Sequence, residues 1–598
     1  MKRFSIHKLV TAAVLALGLG ACTRFLDTRI DVYDTMDRLE TRSSTLSSFA
    51  YAFYTPMQNG FNVIDGNLFA TASDEAEQAA PSSEASAFNR GLLSADLNPL
   101  AYRYTSCYEG IRAAHFFLDY AKDGENFLAL NRDTSTVYNP DGSIYSTDQP
   151  RAYKRDCINL GWLRAEAYIA EAYYYGELIK MYGGVPIIEK EGGFARQATY
   201  DEVVEHIVKL IDEHADEVNL DWRVVLDPTP QNAVADVTNW NFRDETGRFD
   251  KTTALAIKAR VLLYAASPRN NPDGDTDKWV RAAAAAHDVI ELRKAIFAKG
   301  FGFGDGAKSY PSYKMPVNRD YGNYFLKNNS TGDVESIFLI RQAAGSAPER
   351  ANYPVATRGG NSGVCPTQNM VDAYEYIGPQ TPDPYANRDP RLAATIVCNG
   401  STWNGNVIDE SAGGNYDQKL PGSSPTGYYL RKFLAPNLNL VEGGSTDHVW
   451  PLYRYAEVLL NYAEAMNEAY GPDADPKGYG LTARQALTEV RESASTALPA
   501  VTASSKADFR AAVKQERRVE LAFEDHRYWD LLRWGDAMSV LNRSIKGVTV
   551  RRNNLGGFQY SFRTVSSRTF FERNYYFPFT RKEIANSNGT LTQNPEYN

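Results

Sequence analysis

WLRAEAYIAEAYYYGELIKMY, residues 162–182, is the stretch that decides the fold class of this chain. It is rich in alanine, leucine and glutamate, residues that favour the α-helix. Gly183 and Gly184 follow directly, with Pro186 beyond them, and glycine past the last turn followed by proline is a signal that ends a helix. The sequence therefore predicts a helix over residues 162–182.

Further helical segments are predicted on both sides of a long middle region. Apolar residues recur at helical spacing after Leu452, and Asp277 stands where an N-cap is expected. The predicted segments are 201–220, 251–267, 277–293, a helix through Tyr455, Val458, Leu459, Tyr462 and Met466, 481–494 and 506–524. Because the helices follow one another in pairs, we expect a mainly α fold, a tetratricopeptide-like helix-pair scaffold with few short strands.

The middle of the chain, residues 299–449, loses this periodicity. Glycine, proline, asparagine, serine and tyrosine dominate it, and turn-forming dipeptides such as Asn404-Gly405 interrupt regular structure. A loop-rich insertion of this length is more often functional than idle, and a short strand is expected around 335–341. From Asp536 onward the chain is predicted to be irregular.

The N-terminus has the pattern of an exported protein. A basic start precedes an apolar run at 9–19 that is too short to span a bilayer, and small residues lead to Cys22. A cysteine directly after Leu-Gly-Ala resembles a bacterial lipobox, in which the thiol receives lipid. We therefore expect a lipoprotein signal peptide over residues 1–21 and a lipid anchor on Cys22; the alternative is an ordinary signal peptide with a cysteine nearby.

The charge of the chain restricts its partners. The precursor carries −9, and removal of Lys2, Arg3 and Lys8 with the signal peptide leaves −12. A negative chain argues against a nucleic-acid partner and against adsorption to anionic lipid heads. No motif indicates a cofactor or a metal site. The remaining cysteines have no metal-like spacing, and we expect buried or free thiols, although Cys365 and Cys398 could pair.

Three glutamates, Glu516, Glu520 and Glu524, are spaced by four and lie on one face of a predicted helix. A catalytic pair for glycoside hydrolysis needs two carboxylates that flank a bond from opposite sides, which one helix face does not easily provide. An ion-pair network is the favoured interpretation. The partners considered are arginines close in sequence or on the earlier helices: Arg517, Arg518, Arg527, Arg533, Arg164 and Arg260.

Tyrosine is unusually abundant, with 38 residues. Its ring offers an apolar face with a polar tip, which suits a wet binding surface. Trp403 stands among Ser, Thr, Asn and Gly without an obvious core to enter, so it is a candidate for stacking on a ligand. Five tyrosines share its loop-rich region, and for each of them packing is as good an explanation as ligand contact: Tyr310, Tyr313, Tyr321, Tyr324 and Tyr353.

Several short motifs recur in a recognisable order from Cys22 to the C-terminus. They are Ser73-Asp-Glu-Ala76, Leu163-Arg-Ala-Glu-Ala-Tyr168, Tyr182-Gly-Gly-Val-Pro186, Ala254–Arg260, Arg388-Asp-Pro-Arg391, Arg454-Tyr-Ala-Glu457, Gln515–Glu524, Trp529–Gly535 and Thr592-Gln-Asn-Pro595. Each motif alone is weak evidence for a family, but their order and spacing together are strong evidence. By these motifs the chain resembles the SusD/RagB outer-membrane lipoproteins of the Bacteroidota.

This resemblance implies a fold, a role and a partner. It implies one SusD-like domain over 22–598, with a helical scaffold at about 34–298 and 450–535, the ligand-side insertion 299–449 and the C-terminal segment 536–598. The protein is then a non-catalytic glycan-binding lipoprotein on the outside of the outer membrane. It delivers its ligand to a SusC-like TonB-dependent barrel.

The resemblance locates the ligand residues only by region, since its motifs are scaffold residues. The candidates lie before the early helices and in the insertion: Asn89, Arg90, Tyr102, Tyr310, Arg350, Tyr353 and Trp403. Two other functions remain open on the sequence alone, a surface peptide-binding lipoprotein of the same transporter type and, less favoured, a surface glycoside hydrolase.

Overall fold

The computed structural model describes residues 48–80, 82–121, 149–189, 195–222, 247–299, 321–326, 335–494 and 498–597. Contacts group the chain into two compact units. The larger contains Ala50–Lys122 and Gly161–Asn598, and the other contains Met1–Phe49 and Asp123–Leu160. Cys22, Tyr310 and Tyr313 lie outside the described residues. In the part of the chain that is described, no helix is both long and apolar enough to cross a membrane.

Helices dominate the larger unit, as the sequence predicts. The longer ones are α1 (Ala101–Tyr120), α2 (Gln149–Tyr182), α3 (Tyr200–His214), α4 (Lys251–Ala266), α5 (Thr276–Lys299), α6 (Tyr455–Tyr470), α7 (Ala483–Ala494), α8 (Lys506–Glu520) and α9 (Arg527–Arg533). Short α-helices lie at Ala85–Asn89, Tyr321–Tyr324, Ala347–Asn352, Gln368–Val371, Arg391–Thr395, Ala537–Leu541 and Arg581–Asn586. Single 3₁₀ turns lie at Tyr51–Tyr54, Gly60–Asn62, Phe69–Ala72 and Glu572–Tyr575.

Local capping determines where the predicted helices begin. Thr199 and Glu202 form a capping box at the start of α3, and the Asp250 carboxylate accepts the Thr253 N–H at the start of α4. The prediction of Asp277 as an N-cap is wrong. Helix α5 begins at Thr276, and the Asp277 N–H donates to the carboxylate of Asp275 at 2.9 Å.

Helix α6 differs from the amphipathic helix that its spacing predicts. The sequence shows one apolar stripe, but every residue from Tyr455 to Glu468 is buried. Helices α4, α5, α7 and α8 and strand Thr446–Arg454 all contact α6, so its polar side chains face protein rather than water. Polar groups on such a helix need partners, and Glu457 accepts hydrogen bonds from Arg260 at 2.7 and 2.6 Å.

In the described chain the strands are short, and each pairs with one other strand in antiparallel orientation. They are β1 (Ala76–Gln78), β2 (Ser336–Gly345), β3 (Val364–Pro366), β4 (Ile396–Val397), β5 (Thr402–Trp403), β6 (Asn406–Val407), β7 (Tyr429–Leu430), β8 (Thr446–Arg454), β9 (Ile545–Arg552) and β10 (Phe558–Ser566). The predicted strand around 335–341 is confirmed as β2, which pairs with β8. Strand β1 pairs with β3 and so brings the N-terminal segment against the insertion.

The prediction that the chain is irregular from Asp536 onward is wrong. Strands β9 and β10 form a hairpin, and Val548 and Val550 of β9 are buried. Across the ladder, Val550 faces Tyr560 on the same side, and this alternation of apolar and polar residues is typical of a half-buried strand. Interleaved arginines obscure the alternation in the sequence.

Glu516, Glu520 and Glu524 take part in a buried ion-pair network, which confirms the favoured interpretation. Their partners differ from those considered, because the predicted arginines bond elsewhere. Arg517 and Arg533 bond Asp530, while Arg518 and Arg527 bond Asp74. The cations that contact the three glutamates come from the insertion, from β8 and from α7: Arg391, Lys432, Arg454 and Arg491.

Glu75 is a buried acid beside this network. Its carboxylate accepts the Phe523 N–H at 3.0 Å, and Asp74, Arg518 and Arg527 lie nearby. Burial raises the pKa of Glu75 to about 8, and the negative charge of Asp74 acts in the same direction. The folded protein therefore holds a proton on Glu75 that the unfolded chain releases above its ordinary pKa.

We expect Glu75→Gln to remove a pH dependence of stability. Between pH ~5 and 8 the folded state of the parent binds more protons than the unfolded state, so its stability falls as pH rises, by up to about 1.4 kcal/mol per pH unit. The glutamine side chain does not titrate in this range. Urea unfolding at several pH values should therefore show that the free energy of unfolding of the variant rises relative to that of the parent toward pH 8. A constant difference between the two proteins would contradict the assignment.

Candidate functional site

An open groove runs along helix α1 and encloses about 640 Å³. One wall is α1 itself, and the other is formed by the segment after α2 and by the C-terminal segment. The described residues that line it are Ala101, Tyr102, Tyr104, Thr105, Tyr108, Glu109, Ile111, Arg112, His115, Pro186, Ile188, Ala195, Thr580, Lys582, Glu583, Asn586, Ser587, Thr590 and Leu591. Its size suits a small ligand or one part of a chain molecule.

Two rows of side chains on α1 build the first wall. Tyr104, Tyr108 and His115 are half-buried and form the inner row, while Tyr102, Thr105, Glu109 and Arg112 are exposed and form the outer row. Spacings of three and four residues place each row along one face of the helix. The groove thus combines aromatic faces with charged and hydroxyl groups.

Hydrogen bonds hold the tyrosine rings in place. The Tyr108 hydroxyl donates to the Pro186 carbonyl at 2.7 Å, and the Tyr102 hydroxyl donates to the Val63 carbonyl at 3.0 Å while accepting from Gln58. The rings of Tyr104 and Tyr108 pack at 4.9 Å between centroids. Burial raises the pKa of all three phenols, so they stay neutral at physiological pH.

The second wall carries polar groups of both signs. Thr580 and Glu583 form a capping box at the start of helix Arg581–Asn586. Burial raises the pKa of Glu583, while Lys582 and Asn586 are exposed. Amide, ammonium and hydroxyl groups therefore face α1 across the groove.

A buried carboxylate lies behind the groove. Glu171 of α2 bonds His115 Nε2 at 2.8 Å and His206 Nε2 at 3.0 Å. The bond to Glu171 raises the pKa of His115. No cluster of histidine, cysteine, aspartate or glutamate suited to a metal ion occurs among the residues that the structure describes. We interpret Glu171 and its two histidine partners as a link that fixes α1 against α2 and α3.

The structure separates the predicted ligand residues. Tyr102 lies in the groove, with 44% of its surface exposed. The Asn89 side chain donates to the Thr71 carbonyl at 3.0 Å, and Arg90 is exposed beside it. Arg350 is exposed, and its guanidinium donates to the Leu440 carbonyl at 2.7 Å. Among the candidates that the structure describes, only Tyr102 lines the groove.

The expectation that Trp403 has no core to enter is wrong. Trp403 and Tyr353 are 1% and 0% exposed, and their rings meet edge to face at 5.2 Å. The Tyr353 hydroxyl donates to the Ala435 carbonyl and accepts the Leu438 N–H. Their flanking loops fold back to cover both rings, so neither offers a face to a ligand, and we leave both out of the proposed site.

Sequence reasoning missed the inner row of the groove. Tyr104 and Tyr108 lie one helical turn apart in a run of ordinary helix, and Lys582 and Asn586 lie in a segment expected to be irregular. The spacing of the tyrosines is a visible signal, but it is equally typical of a packed helix face. Their role depends on the C-terminal segment, which meets α1 from the far end of the chain: the rings of Tyr104 and Phe579 meet edge to face at 5.7 Å.

All four described cysteines are free thiols. Cys107, Cys365 and Cys398 are buried, in agreement with the expectation from the sequence, and the possible pairing of Cys365 with Cys398 does not occur. Burial raises the pKa of these three thiols, so they are inert rather than nucleophilic.

Solved structures share this fold. A SusD-like protein from Bacteroides fragilis matches with a TM-score of 0.68 and 20% identity, covering 94% of this chain and 99% of that one. A SusD-like carbohydrate-binding protein from the same species matches with a TM-score of 0.65 and 22% identity, over 93% and 100% of the two chains. A laminarin-binding SusD-like protein matches with a TM-score of 0.59 and 20% identity, over 93% and 100%.

Sequence comparison finds matches to one family. Residues 323–597 match the model of the SusD family. SusD-like protein P25 of Formosa agariphila is 28% identical over 49% of this chain and 58% of its own length. SusD-like protein P38 of the same organism is 23% identical over 65% of this chain and 69% of its own length. Residues 323–597 therefore match the SusD family, and the fold of the chain agrees with that of the SusD-like structures.

Proposed function

We propose that this protein binds a glycan at the cell surface and that the groove along α1 is a contact site. The observation that carries the proposal is the set of fixed tyrosines facing amide, hydroxyl and charged groups across an open cavity. Structures of the same fold described as carbohydrate-binding and laminarin-binding support it.

The groove can hold a sugar by two kinds of contact. A pyranose ring presents C–H groups that pack on the exposed face of Tyr102, while Arg112, Lys582 and Asn586 reach its hydroxyls. The site is open and wet, so a single sugar unit should bind weakly, in the micromolar to millimolar range. A polymeric ligand that engages several contacts at once would raise the overall affinity.

The proposal includes location and delivery. Lipid on Cys22 tethers the protein to the outer membrane, facing the exterior, and a SusC-like TonB-dependent barrel receives the glycan. The match of residues 323–597 to the SusD family supports this arrangement. Copurification from membranes tests the partner: with Cys22 intact, a barrel of this class should accompany the protein, and its consistent absence would count against delivery.

We expect Tyr102→Ala to weaken glycan binding about three- to tenfold, because the change removes an exposed stacking face. The measurement is calorimetric titration of the soluble protein with the glycan that binds best in a panel of plant, host and microbial polysaccharides. Tyr102→Phe keeps the ring and should keep most of the affinity. Phe562→Ala removes an aromatic ring that is 52% exposed elsewhere and should change nothing.

Two results would overturn this function. Binding of peptides, with no glycan bound by the folded protein, would support the alternative that the sequence left open. Glycan binding that is unchanged in both Tyr102→Ala and Arg112→Ala would keep the ligand class but place the contact outside the groove.

A further inference from the structure

The segment that contains the β9–β10 hairpin has an unusual charge. The whole chain has more acidic than basic residues, 73 against 64. Residues 537–571 nevertheless contain no aspartate or glutamate, and six basic residues fall there: Arg543, Lys546, Arg551, Arg552, Arg563 and Arg568. Two of these are neutralised, since Arg552 pairs with Asp409 at 2.6 Å and buried Arg568 lies 3.6 Å from Glu77. The other four are exposed.

The two faces of the hairpin differ in character. On one face, Val548 and Val550 are buried in the core; across the ladder from them, Tyr560 packs against that core and Phe562 is exposed. The register places the alternate residues on the other face: Thr549, Arg551, Gln559, Ser561 and Arg563. Four of these are exposed and Thr549 is half-buried. Over these residues the outer face presents guanidinium, hydroxyl and amide groups, and half-buried Val565 lies at one end of it beside Gly547.

Arg563 is held in a defined position on this face. Its Nε donates to the Thr549 hydroxyl at 3.2 Å, and its Nη2 donates to the Pro425 carbonyl at 2.7 Å. Both acceptors are neutral, so the positive charge of the guanidinium is not compensated. Arg551 is the next residue on the same face of β9 after Thr549, about 7 Å along the strand. The two arginine positions thus lie on either side of Thr549 on this face.

A charged strand has another possible purpose. Lysine and arginine on an exposed edge prevent strands of two molecules from pairing. Prevention of strand pairing does not require a segment without acidic residues. It also does not require that Arg563 be held on the side of Arg551, which has the same charge. Two adjacent cations repel each other unless an anion lies between them, and an anionic ligand removes that cost.

We propose that the outer face of the β9–β10 hairpin binds the sulfate or carboxylate groups of an anionic polysaccharide. The inference rests on the proposed glycan-binding function and names the class of glycan. Hydroxyl and amide side chains between the two arginines suit a polyhydroxylated ligand. A membrane surface fits less well, because the exposed ring of Phe562 lies on the opposite face of the hairpin from Arg551 and Arg563.

The test compares dextran sulfate with uncharged dextran of the same length, using the soluble protein that starts after Cys22. The parent should bind dextran sulfate, with affinity falling as salt rises, and should bind dextran far more weakly. The double variant Arg551→Gln, Arg563→Gln should lose at least about tenfold in affinity for dextran sulfate. The double lysine variant keeps both charges and should recover a large part of it.

A matched control separates local contact from net charge. Arg196→Gln with Arg281→Gln removes two exposed arginines that pair with Glu202 and Glu205, and it lowers the charge by the same amount. Equal losses in the two double variants would overturn the inference, as would binding of anionic phospholipid vesicles in preference to dextran sulfate. If only the Tyr102 variants affect a neutral glycan and the hairpin variants affect nothing, the proposed function stands and this inference fails.

Discussion

Replacing Arg454 by methionine is expected to lower the free energy of unfolding by about 3–5 kcal/mol. Arg454 is buried at the end of β8, and its guanidinium donates to Glu335 at 2.6 Å, to Glu520 at 2.7 Å and to Glu524 at 2.7 and 2.8 Å. Methionine fills much of the same volume but leaves these carboxylates short of a positive charge. Buried charges without compensation are costly, since water cannot reach them.

Urea denaturation followed by circular dichroism measures this loss. Arg581→Met is the control, because Arg581 and Asp96 form a pair whose side chains are 76% and 64% exposed. Water and salt screen an exposed pair, so the control should unfold almost like the parent. Equal small losses for both variants would show that the buried network tolerates a missing cation.

Replacing Trp403 by alanine is expected to cost about 3–5 kcal/mol of stability and to leave glycan affinity unchanged. The indole lies in the core against Tyr353, so its removal opens a cavity and does not remove a ligand contact. The experiment pairs thermal or urea unfolding with titration of the best glycan at a temperature where the variant is folded.

Trp403→Phe refines the same test. The indole N–H of Trp403 has no acceptor among the described residues, so phenylalanine loses volume but no hydrogen bond. The loss of stability in Trp403→Phe should therefore be clearly smaller than the loss in Trp403→Ala. A stable Trp403→Ala protein that no longer binds glycan would show that the ring reaches the ligand, contrary to its position here.

Periodicity and capping residues predicted much of the scaffold. The helix that follows Asp250 and the helices around 162–182 and 506–520 form because their own residues favour them, and the glycines and prolines after several of them are local stop signals. Errors occur where a local signal is ambiguous. Asp275 and Asp277 are both capping residues, and the sequence does not show which of the two is used.

The ion-pair network shows the limit of such reasoning. The spacing of Glu516, Glu520 and Glu524 predicts one helix face and requires cations nearby; the cations are confirmed, but α8 ends at Glu520, so Glu524 lies beyond the helix. The choice of cations depended on long-range folding, because Arg391 lies 125 residues from Glu516 and Lys432 lies 92 residues from Glu524. Nearby arginines were already bonded to other acids.

The sequence alone determined the helical scaffold, the need for buried ion pairs and the charge of the hairpin, because each depends on residues close together in the chain. Only the tertiary structure decided which aromatic rings face solvent. Trp403 and Tyr353 are covered by their own loops, while Tyr102, Tyr104 and Tyr108 line an open groove between α1 and the C-terminal segment. Exposure is a property of the packed chain, and local composition does not contain it.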